Sequence, residues 1–403
     1  VYQPGGKAAT LNGGRGNWYG RDPEWKDAKD FRGKQDVEKP AGEWNRYESI
    51  ADGSRVTLIL NGVVVNQAFN VRPHKGRIQI QSEGAELFVR RVELTPLPSK
   101  PAEPLLLVLN KHEDTMSFVD PVKMESLIKI PTGPNPHEIV ISKDQRTAYL
   151  SNYAAPGNTI SVIDIPNMKH AAQIDTGEFN RIHGAAIAPD GMHAYFTAGQ
   201  TGQVVEVDTQ TNKVTRAIPT QSKISHMLLV SPDGKSLYTA NIETKNVSVI
   251  DIATQKLIAQ IPCDKGCEGM AFTTDGKRLW ALNQEAGSIS VIDVEKNAVS
   301  ETVPCPGMPV RVKFTQNGKL ALVSSWTENG ELIVFDAESK KELKRIPVGS
   351  QAIGLEISPD GKRAFVGCEH TDGIHVIDLD TLTVIGKIKT GDGSDAMAFW
   401  TAP

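Results

Sequence analysis

Apolar and polar residues alternate in short runs along most of the chain, and from residue 105 onward the runs return at a fixed interval. A run of the type x-Val-Ile-Asp ends at Asp120, Asp164, Asp208, Asp251, Asp293, Asp336 and Asp378, an interval of 42 to 44 residues. A second landmark, Asp-Gly or a relative of it, keeps the same phase at Asp144, Asp190, Asp233, Asp275, Asn317 and Asp360. Each unit therefore reads as an apolar strand, a turn, a second apolar strand, a loop, the x-Val-Ile-Asp strand, a turn and a fourth strand. Four short strands at this spacing are the signature of a β-propeller blade.

The two ends of the repeat explain each other. The first unit opens on LLLVLN at 105 with no inner strand before it, and the last stops after AMAFW at Trp400. Joining the C-terminal strand, 396–400, to the strands of 105–132 completes a seventh blade and pairs edges that would otherwise be exposed. The expected architecture of 105–403 is thus an all-β, seven-bladed β-propeller. The stretch LYTANIETKNVSVIDIATQKLIAQIP resembles the YVTN-type repeat of the nitrous oxide reductase N-terminal-like group, and every unit from 104 to 403 shares the likeness. That resemblance implies a fold. It implies no single activity, because such propellers include binding proteins, surface-layer proteins and enzymes.

Residues 1–94 follow a different pattern. EWNRYESIADGSRVTLILNGVVV alternates like paired strands around Asn61-Gly62, and GRIQIQSEGAELFVRRVEL predicts two more. Through Glu43-Trp44-Asn45, Leu60-Asn61-Gly62 and residues 76–94, this region resembles the C-terminal half of the 3-keto-disaccharide hydrolase domain. The likeness implies a small jelly-roll-like, lectin/glucanase-like β-sandwich and a link to carbohydrate chemistry. The region is short of a whole sandwich, so it is expected to leave a sheet edge for self-association or a partner. TPLPSKPAEP, 95–104, reads as a stiff proline-rich linker.

Repeat phase also singles out chemistry. Seventeen to nineteen residues beyond each x-Val-Ile-Asp aspartate, at the entry to the next inner strand, stand His137, His183, His226, Glu268, Val310, Ile353 and Asp395. Five consecutive blades thus bring three imidazoles and two carboxylates to one arc of the channel mouth, facing an apolar arc. Two readings follow: a polar, water-filled channel, or a site in which His137, His183, His226 and Glu268 hold a divalent ion such as zinc, manganese or iron. The resembled propeller of nitrous oxide reductase carries a copper cluster on channel histidines. Glu268, Val310, Ile353 and Asp395 depart from an all-histidine set, and no thiolate joins it, which argues against copper.

Arg181 and Arg311, each within two residues of a channel position, are expected to bind substrate, with Glu268 and Asp395 as catalytic groups. Asn152, Trp326, His112, Glu113, Glu285 and His370 belong to loops around the mouth and read as ordinary solvated residues. The repeated aspartates read as turn-stabilising groups.

Composition narrows the picture further. A net charge of -4 gives no basic footprint, so nucleic acid is not an expected partner. No apolar run reaches membrane-spanning length. Four cysteines do not make a disulfide scaffold, although Cys263 and Cys267 flank the loop leading to Glu268, where a disulfide would stiffen it in an oxidising compartment. Cys368 reads as core. A chain opening on Val1 is compatible with a trimmed secretory precursor, a tag-free product or a fragment.

Two functional expectations emerge. In the first, this is a secreted or periplasmic carbohydrate-active protein that cleaves 3-keto-glycosides by hydrolysis or elimination, with the ion polarising the C3 ketone. In the second, it is a non-catalytic extracellular module for glycan or protein binding or surface assembly. Electron transfer is weaker, since no Cys-x-x-Cys-His haem attachment motif occurs.

Overall fold

A computed structural model describes residues 104–402 apart from 372, and in the N-terminal region 39, 40, 42–52, 55–69, 80 and 87–94. The backbones of Lys7–Ala8, Leu11–Asn12 and Arg15–Gly16 are also assigned as strands. The chain divides into two compact units, Val1–Lys100 and Pro101–Pro403. The described residues form strands, turns and loops without a helix, so none can cross a membrane as one.

The larger unit is a seven-bladed β-propeller of four-stranded antiparallel sheets. Six blades are contiguous in sequence. The remaining one is composite, with Ser394–Trp400 pairing with Leu105–Asn110, followed by Thr115–Asp120 and Glu125–Pro131. Each inner strand touches the next, and Ser394–Trp400 touches both Ala352–Ile357 and Pro136–Ile141, so the ring closes.

Burial follows the layering. Second and third strands are almost entirely buried between blades, as in Arg278–Asn283 and Ser288–Asp293, whereas outer strands such as Glu125–Pro131 are mostly exposed. Trp280, for example, is fully buried with its ring edge-on to Phe314 and Phe335 of the next blade. The repeated aspartates cap turns: Asp120 accepts the backbone N–H groups of Val122 and Lys123 at 3.0 and 2.9 Å, and Asp251 accepts that of Thr254 at 2.7 Å. At the other landmark the glycines take φ near +70°, as at Gly234 and Gly361, which only glycine adopts cheaply.

In the smaller unit Tyr47–Asp52, Arg55–Leu60 and Val63–Phe69 form an antiparallel sheet with Lys7–Ala8 at its edge. Asn61 and Gly62 both have positive φ, as the expected two-residue hairpin turn requires. The two strands expected over 76–94 are not found: residues 80 and 87–94 carry no strand, and the rest lie outside the described residues. Leu87, Phe88, Val92 and Leu94 are exposed there. Most of the 95–104 linker lies outside the described residues.

Candidate functional site at the channel mouth

The seven positions picked out by repeat phase are each the second residue of an inner strand. In every blade a one-residue bulge follows at once, as between Pro136 and Ile139 or Ser225 and Leu228. Bulges re-aim side chains, and this one recurs where the chain meets the channel. Close approach is secured beside them: a Cβ at Gly184 would come within 2.3 Å of the His226 carbonyl oxygen, and one at Gly354 within 2.2 Å of that of Asp395. Only glycine lets neighbouring inner strands pack this tightly.

The imidazoles lie side by side. His183 and His226 stack with centroids 3.7 Å apart and an interplanar angle of 28°, and His137 lies 5.0 Å from His183. Tyr153 packs against both His137 and His183. The Nδ1 atoms of His183 and His226 are buried and lack a hydrogen-bond partner. His137 Nδ1 lies 3.1 Å from the Asn135 carbonyl oxygen, a pure acceptor, which places its neutral-state proton there. Burial, reinforced by the neighbouring imidazoles and Arg311, holds His183 well below the usual histidine range and His226 at about 3. Burial lowers His137 as well, so neutral pH favours the uncharged form of all three rings.

Glu268 completes this arc, with Oε1 4.0 Å from His226 Nδ1. Burial pushes its carboxyl up to about 8 against the pull of Arg311, so near neutral pH it is an acid poised to exchange its proton.

The other arc is built from matched charges. Arg311 donates to Glu138 and, at 3.0 Å, to Asp395. Lys111 lies 2.9 Å from Glu369 and 3.5 Å from Asp395. Glu369 also accepts from the Trp326 indole at 2.7 Å, and His112 lies 3.3 Å from it. Burial opposes ionisation of Asp395, but Lys111 and Arg311 outweigh it and hold the carboxyl below its ordinary range.

These facts revise the expected roles. Asp395 is fully buried and anchors two cations, so it presents no open carboxylate for catalysis. Arg311 is committed to two carboxylates and is no free substrate clamp. Arg181 is exposed at the mouth, with its guanidinium 4.8 Å over the Tyr153 ring and donating to the Tyr153 hydroxyl. Asn152 is a buried strand residue bonded to Ser161 and Thr159, not a solvated loop residue. The residues expected to hold a divalent ion share the mouth without forming a ligand set. Lone pairs of imidazole lie in the ring plane, so stacked rings aim them side by side, not at one point. Among the described residues no group of three or more His, Cys, Asp or Glu side chains is arranged to hold a metal.

Lys111, Tyr153, Glu138 and Glu369 escaped the reading of the sequence. A signal existed for most of them. Lys111, Tyr153, Trp326 and Glu369 each directly follow the second strand of their blade, so they form another phased ring. Glu138 and Arg311 directly follow the first ring.

The expected Cys263–Cys267 disulfide is not formed; all four cysteines are free thiols. The Cys263 and Cys267 thiols are hydrogen-bonded to each other, and this bond lowers the first and raises the second. Cys368 is fully buried in a blade core.

Comparison with known proteins fits this architecture. Residues 3–95 match the 3-keto-alpha-glucoside-1,2-lyase-like domain family, and residues 231–351 match the cytochrome D1 heme domain family. The chain is thus similar to a 3-keto-alpha-glucoside-1,2-lyase-like domain near its N-terminus and to a cytochrome D1 heme domain over part of the propeller. No curated protein matches. Among solved structures, a functionally unknown protein from Desulfotomaculum acetoxidans aligns with TM-score 0.64 and 16% identity, covering 74% of this chain and 99% of that one. Kuenenia stuttgartiensis hydrazine synthase aligns with TM-score 0.58 and 20% identity, covering 65% and 88%. Dihydro-heme d1 dehydrogenase NirN in complex with DHE aligns with TM-score 0.53 and 18% identity, covering 74% and 66%. At these identities the likeness is one of fold.

Proposed function

We propose that this is a carbohydrate-active protein that cleaves 3-keto-glycosides at the propeller mouth, with Glu268 as the acid–base group. The carrying observation is Glu268 itself, a carboxyl pushed to about 8, beside the neutral imidazole of His226. The family match over residues 3–95 supports the choice of substrate.

The chemistry suits such a group. A ketone at C3 acidifies the C2 hydrogen. Ionised Glu268 takes that proton, the C1–O bond breaks as the C1–C2 double bond forms, and the protonated carboxyl returns the proton to the leaving oxygen. A group with pKa near the working pH serves both halves. Neutral His226 beside it steadies the carboxyl without adding charge, and the paired arc of Lys111, Arg311 and three carboxylates fixes the field around it. No step runs through a metal ion, since the donors do not converge.

The test is release of the aglycone from a synthetic 3-keto-glucoside, followed by chromatography. Cleavage whose kcat/KM rises with pH up to about 8, and falls about 10²- to 10⁴-fold in Glu268→Gln, supports the reading. Full activity in that variant, or none in the parent, overturns it.

A further inference from the structure

The wall of the mouth next to the imidazoles contains a cavity of about 470 Å³, within the range of small-molecule sites. Arg181, Tyr153, His183, His226 and Lys223 are among its lining residues. The cations around the mouth differ in what they are tied to. Lys111 and Arg311 each hold two carboxylates, and Lys223 lies 3.2 Å from Glu243. Among the described residues Arg181 has no carboxylate partner within ion-pair distance.

Arg181 is nevertheless held in place. Its guanidinium stacks on Tyr153 and donates to its hydroxyl, leaving further N–H donors of the planar fork unused. Its backbone has φ of 54°, a left-handed conformation that a non-glycine residue keeps only where surroundings impose it, and its carbonyl accepts from Gly199 at 3.1 Å. The rings of His183 and His226 also line the cavity; His183 is 3% exposed, and the buried Nδ1 of each makes no hydrogen bond. Neutral imidazoles lining a cavity offer a polar ligand hydrogen-bonding partners without adding charge.

We infer that the ligand of this cavity is an acidic monosaccharide, whose carboxylate or phosphate is held by the Arg181 fork while its ring hydroxyls bond the imidazoles. This deepens the proposed function and rests on that reading for the sugar, but the anion contact is independent of the cleavage step. Carboxylate and phosphate are both planar-fork partners for arginine and share this chemistry.

Calorimetric titration of the full chain with D-glucose, D-glucuronate and D-glucose 6-phosphate tests it. At least one acidic sugar is expected to bind about tenfold or more tighter than glucose, in keeping with a charge-assisted contact. Whichever binds names the carboxylate or phosphate source. Arg181→Gln is expected to abolish that preference and Arg181→Lys to restore part of it. Equal affinity for glucose and both acids, no binding of any, or a preference surviving Arg181→Gln overturns the inference. Failure to cleave 3-keto-glycosides with acidic-sugar binding intact removes the proposed reaction and leaves this inference standing. Cleavage of neutral 3-keto-glucosides with no preference for acids does the reverse.

Discussion

Two arcs of one channel mouth solve the same problem in opposite ways. On one side Lys111 and Arg311 outweigh burial and hold the Glu369 and Asp395 carboxyls below their ordinary range, while burial still pushes Glu138 up despite its pairing with Arg311. On the other His183, His226 and Glu268 shed their charge instead, and two imidazole nitrogens are left without partners. The desolvation cost of burial is met by pairing in the first arc and by neutralisation in the second. The difference teaches where a ligand belongs. Each arc keeps two buried polar atoms without a hydrogen-bond partner, Arg311 Nε and Asp395 Oδ2 in the first and the two imidazole Nδ1 atoms in the second, but only the neutral arc has a proton to exchange near neutral pH.

Breaking the matched arc should cost most. Arg311→Met leaves Glu138 and Asp395 buried without their shared cation, and removal of one partner of a buried pair costs about 3–5 kcal/mol. Urea unfolding should show that loss; a cost below about 1 kcal/mol would mean that the pairing does not hold these carboxylates. Next in size is the packing that brings the arcs together. Gly184→Ala drives a methyl group against the His226 carbonyl oxygen, and overpacking of this kind costs about 1–3 kcal/mol. A melting temperature equal to the parent's would show that the inner strands can part without penalty.

The neutral arc should reveal itself through pH. The carboxyl of Glu268 moves from an ordinary value of 4.5 to about 8, so between these values the folded chain keeps a proton that the unfolded chain has released. Its stabilisation is fully present below 4.5 and lost as pH rises through 8. His226 runs the other way: depressed from 6.5 to about 3, it contributes stability that is present above 6.5 and lost as pH falls toward 3. The two slopes cancel between 4.5 and 6.5, so stability should be level across that window and decline above it, as far as about 8, by up to about 1.4 kcal/mol per pH unit. Glu268→Gln should flatten the alkaline limb and leave the acid limb in place. An unchanged alkaline limb in a melting series would assign the decline to another group. Smallest in stability is His226→Phe, which keeps a flat ring over His183 and should stay within about 1 kcal/mol of the parent. The same variant should lose at least about tenfold in 3-keto-glycoside cleavage, which would separate the ring's packing from its chemistry.

Much of the propeller was legible because its information is local and repeated. Asn61-Gly62 specified a hairpin, the Asp-Gly pairs specified turns, and the phase of x-Val-Ile-Asp located every inner strand. Phase likewise put His137, His183, His226, Glu268 and Asp395 at the mouth. It did not show which of them face a ligand. Asp395 and Glu268 occupy equivalent positions, yet one is tied to Lys111 and Arg311 while the other stands 4.0 Å from an imidazole. The alternation over 87–94 did not produce a strand at the described residues, and the rest of the 76–94 pattern lies outside them.

The sequence by itself determined the period, the seven blades and the ring of positions around the channel, since each depends on strand and turn preferences within about one repeat. Tertiary structure alone decided the charges. Arg311 meets Glu138 across 173 residues and Asp395 across 84. Those contacts exist only once the ring has closed, and ionisation in a buried site is set by such neighbours and by the exclusion of water, neither of which is a property of a residue's own segment.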